Sequence, residues 1–383
     1  MKNIQQKILA VCLIICLCLA LCASVMAEGV TVAEIQKYGN LVLSLKGTDF
    51  MRLGYAYGDV ITVTIAGKEY EMPVGSNYSD VDNGSLICRV TAPADGDAVI
   101  LAINMGDLAT AAGIAVKTKT EVEPGYRWDY TDAAAQPVTV AIAMKEKGGY
   151  YDQYVMHQLV RTNERADYAS LTDEEFANFR PVTTSGIGRG RLYRSASPVN
   201  PELNRNAYAD AAMKAADVKT VVNLADTPEG MKAYAGYADT YYQGCQIIAL
   251  NLGVDFAAQD FQAGLAQGLR FMAANEGPYL VHCNEGKDRA GFTSAILACL
   301  MGATAEEVTA DYMITYANYY GVAQGSEQYK VIASSNIEKS LAAAFEVEDI
   351  YTVDLAQEAA AYLTDTLGLT EAEVTQLKNN LAE

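Results

Sequence analysis

One ten-residue run constrains this chain more than any other stretch: His282-Cys283-Asn284-Glu285-Gly286-Lys287-Asp288-Arg289-Ala290-Gly291. Before it lies Pro278-Tyr279-Leu280-Val281, a short apolar run that reads as a buried strand. After it, Phe292 to Met301 reads as a buried helix. A strand–loop–helix turn of this kind aims several backbone N–H groups and a helix N-terminus at one point, and such a point holds anions. Cys283 stands at its mouth and Arg289 at its far end.

The residue types suit one chemistry. A free thiol titrates near ~8.5, and helix N-termini or cationic neighbours pull it down toward a thiolate. Arg289 offers a planar fork that grips two phosphoryl oxygens at once, which a lysine does not. Gly286 permits a turn that a side chain would obstruct. A thiolate facing a held phosphate predicts a covalent route, in which a phosphocysteine forms and water then releases phosphate. No metal or organic cofactor is needed for it.

This run resembles the signature loop of the cysteine-dependent protein tyrosine phosphatases, His-Cys-(five residues)-Arg, in the Gly-Lys-Asp-Arg form of the atypical bacterial branch. Gly190-Arg191-Leu192-Tyr193-Arg194-Ser195-Ala196 resembles the strand that opens those domains, and Asn178-Phe179-Arg180 matches the family's entry to it. Lys219-Thr220-Val221-Val222-Asn223-Leu224-Ala225-Asp226 is similar to the next strand. The resemblance covers roughly residues 170–340. It implies Cys283 as nucleophile, Arg289 as phosphate clamp, and the loop residues Asn284, Glu285, Gly286, Lys287 and Ala290 around the substrate phosphate. His282 is implied as a hydrogen-bonding support of the thiolate rather than a base. Lys287 could contact phosphate or solvent. Three departures stand out. Pro181-Val182-Thr183-Thr184 replaces the usual Asp-(Leu/Val)-Gly-Gly, Ala225 replaces an arginine, and Ala290 replaces the hydroxyl residue that eases sulfur's departure. The last predicts slow hydrolysis of the phosphoenzyme.

The leaving oxygen needs a proton, and a carboxyl suits that role. Asp288, inside the loop, and Asp255, 28 positions before Cys283, are equal candidates. Asp226 is a third, because it ends a strand whose C-terminal edge should face the site. Asp260 reads as the cap of a helix over 261–274.

The N-terminus predicts a compartment. Lys2 and Lys7 mark a basic start, Ile8 to Ala23 is unbroken apolar sequence, and Val25-Met26-Ala27 offers small-residue cleavage after Ala27. This is the pattern of a secretory signal peptide. The expected product is secreted or cell-surface, with no membrane span after signal removal. Cys12, Cys16, Cys18 and Cys22 would leave with it, so Cys88, Cys245, Cys283 and Cys299 remain. With Cys283 kept free, the other three make no disulfide framework. The formal charge of −19 grows more negative once Lys2 and Lys7 are lost. So acidic a surface disfavours nucleic acid and anionic membranes. It also favours phosphopeptides or small phosphoesters over highly phosphorylated ligands.

Residues 28–148 have a different texture. Leu41–Leu45, Val60–Ile65, Leu86–Val90, Ala98–Ile103 and Val138–Ile142 read as strands between Gly, Asn and Asp clusters, which predicts a small barrel-like β-domain. Tyr38-Gly39-Asn40-Leu41-Val42, Tyr78-Ser79-Asp80-Val81 and Ile103-Asn104-Met105-Gly106-Asp107-Leu108-Ala109 resemble the C-terminal β-domain of the SAM hydroxide adenosyltransferases. That family's catalytic domain has no counterpart here, so the resemblance implies no transferase activity. Asn40, Asp80 and Asn104 read first as turn and strand-end residues. Tyr150 to Ala169 predicts a helical connector, and Thr172 with Glu175 a capped helix start. Helices are expected over 305–319, 327–345, 355–367 and 371–381. Tyr312, Tyr316, Tyr319 and Tyr320 form a stripe that reads as core or cleft wall.

The sequence therefore predicts a signal peptide (1–27), a β-rich domain (28–148) and an α/β phosphatase domain (149–383) with a mostly parallel central sheet. The expected activity is hydrolysis of phosphotyrosine in a protein or peptide. Phosphoinositide or small-phosphoester hydrolysis by the same chemistry is the first alternative. A binding module that kept the loop and lost turnover is the second. A sulfurtransferase fits less well. Oligomeric state leaves no trace in the sequence.

Overall fold

A computed structural model describes residues 26–382. The expected signal peptide lies outside the described residues except for Met26 and Ala27. These two begin the first strand, paired with Ala143 and Ile142. The chain divides into two compact units that meet between Leu159 and Val160.

The first unit is a closed seven-stranded barrel. Its strands are β1 (Met26–Ile35), β2 (Leu41–Lys46), β3 (Val60–Ile65), β4 (Lys68–Gly75), β5 (Leu86–Val90), β6 (Ala98–Ile103) and, after a ribbon of β7 (Ala115–Lys119) and β8 (Tyr126–Tyr130), β9 (Thr139–Glu146). Round the barrel they run β1-β2-β6-β5-β4-β3-β9, and β9 closes on β1. Alternation builds it. Ile61, Val63 and Ile65 point inward while Thr62 and Thr64 stay half-exposed. Closure removes the free sheet edges. A short helix, α1 (Tyr151–His157), belongs to this unit: Tyr154 stacks on Tyr57 at 5.5 Å, and Gln158 just beyond it donates to Asp80. The expected helix over 150–169 stops there, at a C-cap on Gln158, and only one 3-10 turn, Arg165–Tyr168, follows.

The second unit is an α/β layer. Its sheet runs β10 (Arg180–Pro181), β11 (Leu192–Ser195), β14 (Tyr279–His282), β12 (Thr220–Asn223), β13 (Gln246–Ala249), all parallel except the edge strand β10. The helices that matter for the site are α2 (Asn206–Ala215), α3 (Gln259–Ala274), α4 (Asp288–Leu300), α5 (Ala305–Tyr320) and α6 (Glu371–Ala382). β14 is central and fully buried, and Ser195, His282 and Asn223 share one register line. Three strand ends thus converge where the signature run leaves the sheet, the edge at which such sheets bind ligands. Helix α4 follows at once and is buried on every side from Ala290 to Leu300, as its apolar composition requires. The predicted C-terminal helices form, with π-turns at Ser334–Glu338 and Tyr362–Thr366 inside them. Asp260 is not a helix cap: α3 begins at Gln259 after Ala258, which places Asp260 inside its first turn.

Candidate active site

The loop between β14 and α4 is held from behind by its carbonyls. Arg194, fully buried, donates to the Gly286 carbonyl at 2.9 Å and the Lys287 carbonyl at 3.2 Å. Asn178 donates to the Glu285 carbonyl at 3.1 Å, and the Tyr319 hydroxyl donates to the same oxygen at 2.9 Å. The Asn284 carbonyl accepts from the Ser197 amide. With the carbonyls fixed on that side, no amide from Asn284 to Asp288 donates to another described residue. They form a nest of donors at the N-terminus of α4. Gly286 is required twice over. Its φ is +70°, and a Cβ there would lie 2.2 Å from the Ser195 carbonyl oxygen.

The scaffold under the loop is charged and largely buried. Asp311, on α5, takes Arg194 at 2.8 Å and Arg180 at 3.4 Å. Burial raises the Asp311 carboxyl, but the two guanidinium groups outweigh it and hold it below the usual carboxylate range. Arg180 also donates to Asn178 Oδ1 at 2.6 Å, which orients the amide that grips the loop. Such a cluster contributes little net stability while intact, but losing one partner leaves buried charge uncompensated.

Cys283 is 2 % exposed at the start of the loop. His282 behind it is fully buried, with Nε2 2.8 Å from the Tyr242 hydroxyl and Nδ1 3.4 Å from the Cys283 carbonyl. Tyr242 accepts from Asn223 Nδ2, so its own proton goes to Nε2 and the histidine proton sits on Nδ1, facing the Cys283 carbonyl. Burial pushes His282 down to about 4, so it is a neutral hydrogen-bonder at pH 7 and no cation. Asp226 closes this chain of bonds. Its oxygens accept from Asn223 at 3.0 Å and from the Tyr234 hydroxyl at 2.8 Å. Both oxygens thus serve supporting contacts behind His282.

Arg289 is fixed through one nitrogen. Its Nη1 donates to the carbonyls of Leu252 at 2.8 Å and Leu224 at 3.3 Å, from the loops after β13 and β12. The other edge of the fork remains for an anion.

The two candidate acids sit in different surroundings. Asp288 is the first residue of α4. Burial raises its carboxyl, and the pull of Lys287 does not cancel that. Asp255 is exposed and accepts from the Ala257 amide, capping its own turn. It lines a groove of about 460 Å³ whose other walls include Gln262, Lys339 and Tyr362, and none of the signature loop. Lys287 points back into the protein: its Nζ lies 3.1 Å from Glu285 and 3.8 Å from Asp288, over the rings of Tyr316 and Tyr320. Burial would lower it, but those carboxylates more than compensate and raise it. Ala290 is fully buried and brings no hydroxyl. The tyrosine stripe is wall and core: Tyr312, Tyr316 and Tyr319 are buried behind the loop.

Several residues of this arrangement were not singled out by sequence reasoning. Arg180, Arg194 and Asn178 appear there only as motif letters. Asp311, Arg161 and Tyr242 carry no local signal, because their partners lie far away in the chain.

Residues 174–383, more than half of the chain, match the model of the tyrosine phosphatase family. The chain belongs to that family. Residues 30–121 match the C-terminal domain of the SAM hydroxide adenosyltransferases. No curated protein matches the chain significantly. Among solved structures, the chain is similar to TpbA of P. aeruginosa bound to phosphotyrosine (22 % identity, 45 % of this chain and 86 % of that one, TM-score 0.28). It is also similar to the catalytic core of the PP-IP phosphatase SIW14 of S. cerevisiae in complex with citrate (17 %, 43 % and 91 %, 0.27). An uncharacterized conserved protein of Thermotoga maritima matches at 19 % identity over 30 % of this chain (TM-score 0.23), and the match covers 35 % of that protein's length. As a member of the tyrosine phosphatase family the protein is a phosphatase. Among its described residues no helix is long and apolar enough to cross a membrane.

Proposed function

We propose that the protein is a secreted protein tyrosine phosphatase that works through a phosphocysteine on Cys283. The observation that carries the reading is the loop itself, with its carbonyls tied back and Arg289 braced on the Leu252 carbonyl. Loop amides and the free edge of Arg289 hold the phosphoryl oxygens. The Cys283 thiolate attacks phosphorus, an S–P bond forms, the P–O bond to the leaving group breaks, and the leaving oxygen takes the Asp288 proton. The raised Asp288 carboxyl suits it as the acid, since it keeps its proton to higher pH than an ordinary aspartate. Water then attacks phosphorus, gives its proton to Asp288, and the S–P bond breaks to return the thiolate and free phosphate. Ala290 gives the departing sulfur no hydroxyl, so the second step is the slow one. Residues 1–27 support secretion by their basic start and apolar run.

Phosphate release from phosphotyrosine peptide, phosphoserine peptide and phosphoinositide, measured on reduced protein, tests the substrate class. Preference for the first supports the reading. Preference for phosphoinositide moves the substrate while keeping the chemistry, and no turnover on any of the three overturns it.

A further inference from the structure

The signature loop carries a carboxylate, Glu285, where its work is to hold an anion. Its side chain is 23 % exposed, so it stays close to the loop and is only partly screened by solvent. Two cations meet it. Lys287, two residues on, lies 3.1 Å from Oε2. The other is Arg161, the second residue of the phosphatase unit and 13 positions before the family match begins. Its Nη2 reaches Glu285 Oε1 at 2.6 Å. Its Nη1 is fixed on Asn163 Oδ1 at 2.7 Å, and its guanidinium lies 5.6 Å from the centre of the Tyr319 ring, the same tyrosine whose hydroxyl holds the Glu285 carbonyl. Asn163 in turn donates to the Glu202 carbonyl. Arg161 is thus built into its place by three contacts, one of them itself anchored, and is no stray surface charge.

We infer that Arg161 is a positioning residue for the phosphatase site: it cancels the charge of Glu285 and so keeps the surroundings of Cys283 net positive. This rests on the proposed anion chemistry of the loop. With Arg161, Glu285 and Lys287 in place the cluster carries one net positive charge. Without Arg161 these three positions carry none, and Lys287, which also faces Asp288 at 3.8 Å, is left to serve Glu285. The whole chain is strongly acidic, with a formal charge of −19, so the local excess matters more than it would on a neutral protein. The effect falls on attraction of an anion to the loop, which a thiolate reaction with a charged and an uncharged reagent separates cleanly.

The test is the rate of alkylation of Cys283 by iodoacetate, an anion, relative to iodoacetamide, which is neutral. Mass spectrometry of the Cys283 peptide keeps the other cysteines out of the reading. KM and kcat for a phosphotyrosine peptide are measured in parallel. In Arg161→Gln the iodoacetate-to-iodoacetamide ratio falls roughly tenfold and KM rises by a similar factor, while kcat changes far less. Arg161→Lys retains most of the ratio. Arg161→Gln combined with Glu285→Gln restores the net charge and brings the ratio back toward wild type. An unchanged ratio in Arg161→Gln, or a loss that the added Glu285→Gln does not repair, overturns the inference. The ratio is read from the thiol alone, so it answers even if no phosphomonoester proves to be a substrate. If Arg161→Gln does not fold, Glu285→Gln by itself decides: it must raise the ratio above wild type.

Discussion

The two units bury polar groups for different ends. In the barrel, Asp80 is 2 % exposed, and its carboxylate ties its own turn to the end of α1, accepting from the amides of Ser76 and Asn77, the Ser76 hydroxyl and Gln158. Asn104 likewise serves the Val81 carbonyl and Asn83. These groups brace the barrel unit itself, around a core of mostly aliphatic side chains. In the phosphatase unit, Arg180, Arg194, Asp311 and Asn178 come from distant parts of the chain and meet under one loop. Buried charge is expensive and returns little net stability. Its concentration beneath one loop marks the place where geometry, rather than folding as such, is being fixed.

Substitutions that separate the two kinds of burial can break this contrast. The largest effect is expected from Asp311→Ala, which strands Arg180 and Arg194 without a counter-charge. It should cost roughly 3–5 kcal/mol in denaturant unfolding and most of the turnover with it. If Asp311→Ala lost no more than an exposed substitution does, the cluster would not be the foundation of the loop. Next comes Asp288→Asn, expected to lower kcat by about 10²–10³ and to erase the fall in rate at high pH that accompanies loss of the Asp288 proton. Much of the loss should vanish for p-nitrophenyl phosphate, whose leaving oxygen needs no proton. An intact alkaline limb in Asp288→Asn would move the acid role elsewhere, with Asp255 first in line.

His282 sharpens the comparison through pH. Its folded value of about 4 lies below the ordinary 6.5, so between those values the unfolded chain binds the extra proton. Stability therefore rises with pH across that window and is lost as pH falls from 6.5 to 4, by roughly 3 kcal/mol from this group. Urea titrations at several pH values should show that slope in wild type and a shallower one in His282→Gln; equal slopes would assign the acid sensitivity to other groups. The smallest effect belongs to the barrel. Asp80→Asn should cost only about 1–2 kcal/mol, because part of its acceptor set survives, and it should leave the phosphatase kcat where it was. A drop in kcat would show that the two units are coupled.

Much of the molecule was legible from sequence. The barrel strands announce themselves by alternation, as in Val60–Ile65, and the signature run by residue types that only its turn can use. Gly286 is the sharpest case, since its φ and its clash both follow from the turn. The foundation was not legible for a physical reason. Asp311 sits on an ordinary amphipathic helix, and nothing near it in sequence says that it faces two arginines more than a hundred residues away. The region 150–169 failed differently. Its composition allows a helix, but the chain leaves helical geometry after Gln158, and Arg161 and Asn163 then spend their side chains on Glu285 and the Glu202 carbonyl. Local propensity lost there to contacts made far along the chain.

The most direct measurement is rapid-quench trapping of the phosphoenzyme from a phosphotyrosine peptide, with mass spectrometry to locate the phosphoryl group. The phosphocysteine reading predicts it on Cys283, accumulating because Ala290 leaves the second step slow, and absent from Cys283→Ser together with all turnover. Turnover that survives in Cys283→Ser, or a phosphoryl group found on another residue, would contradict it.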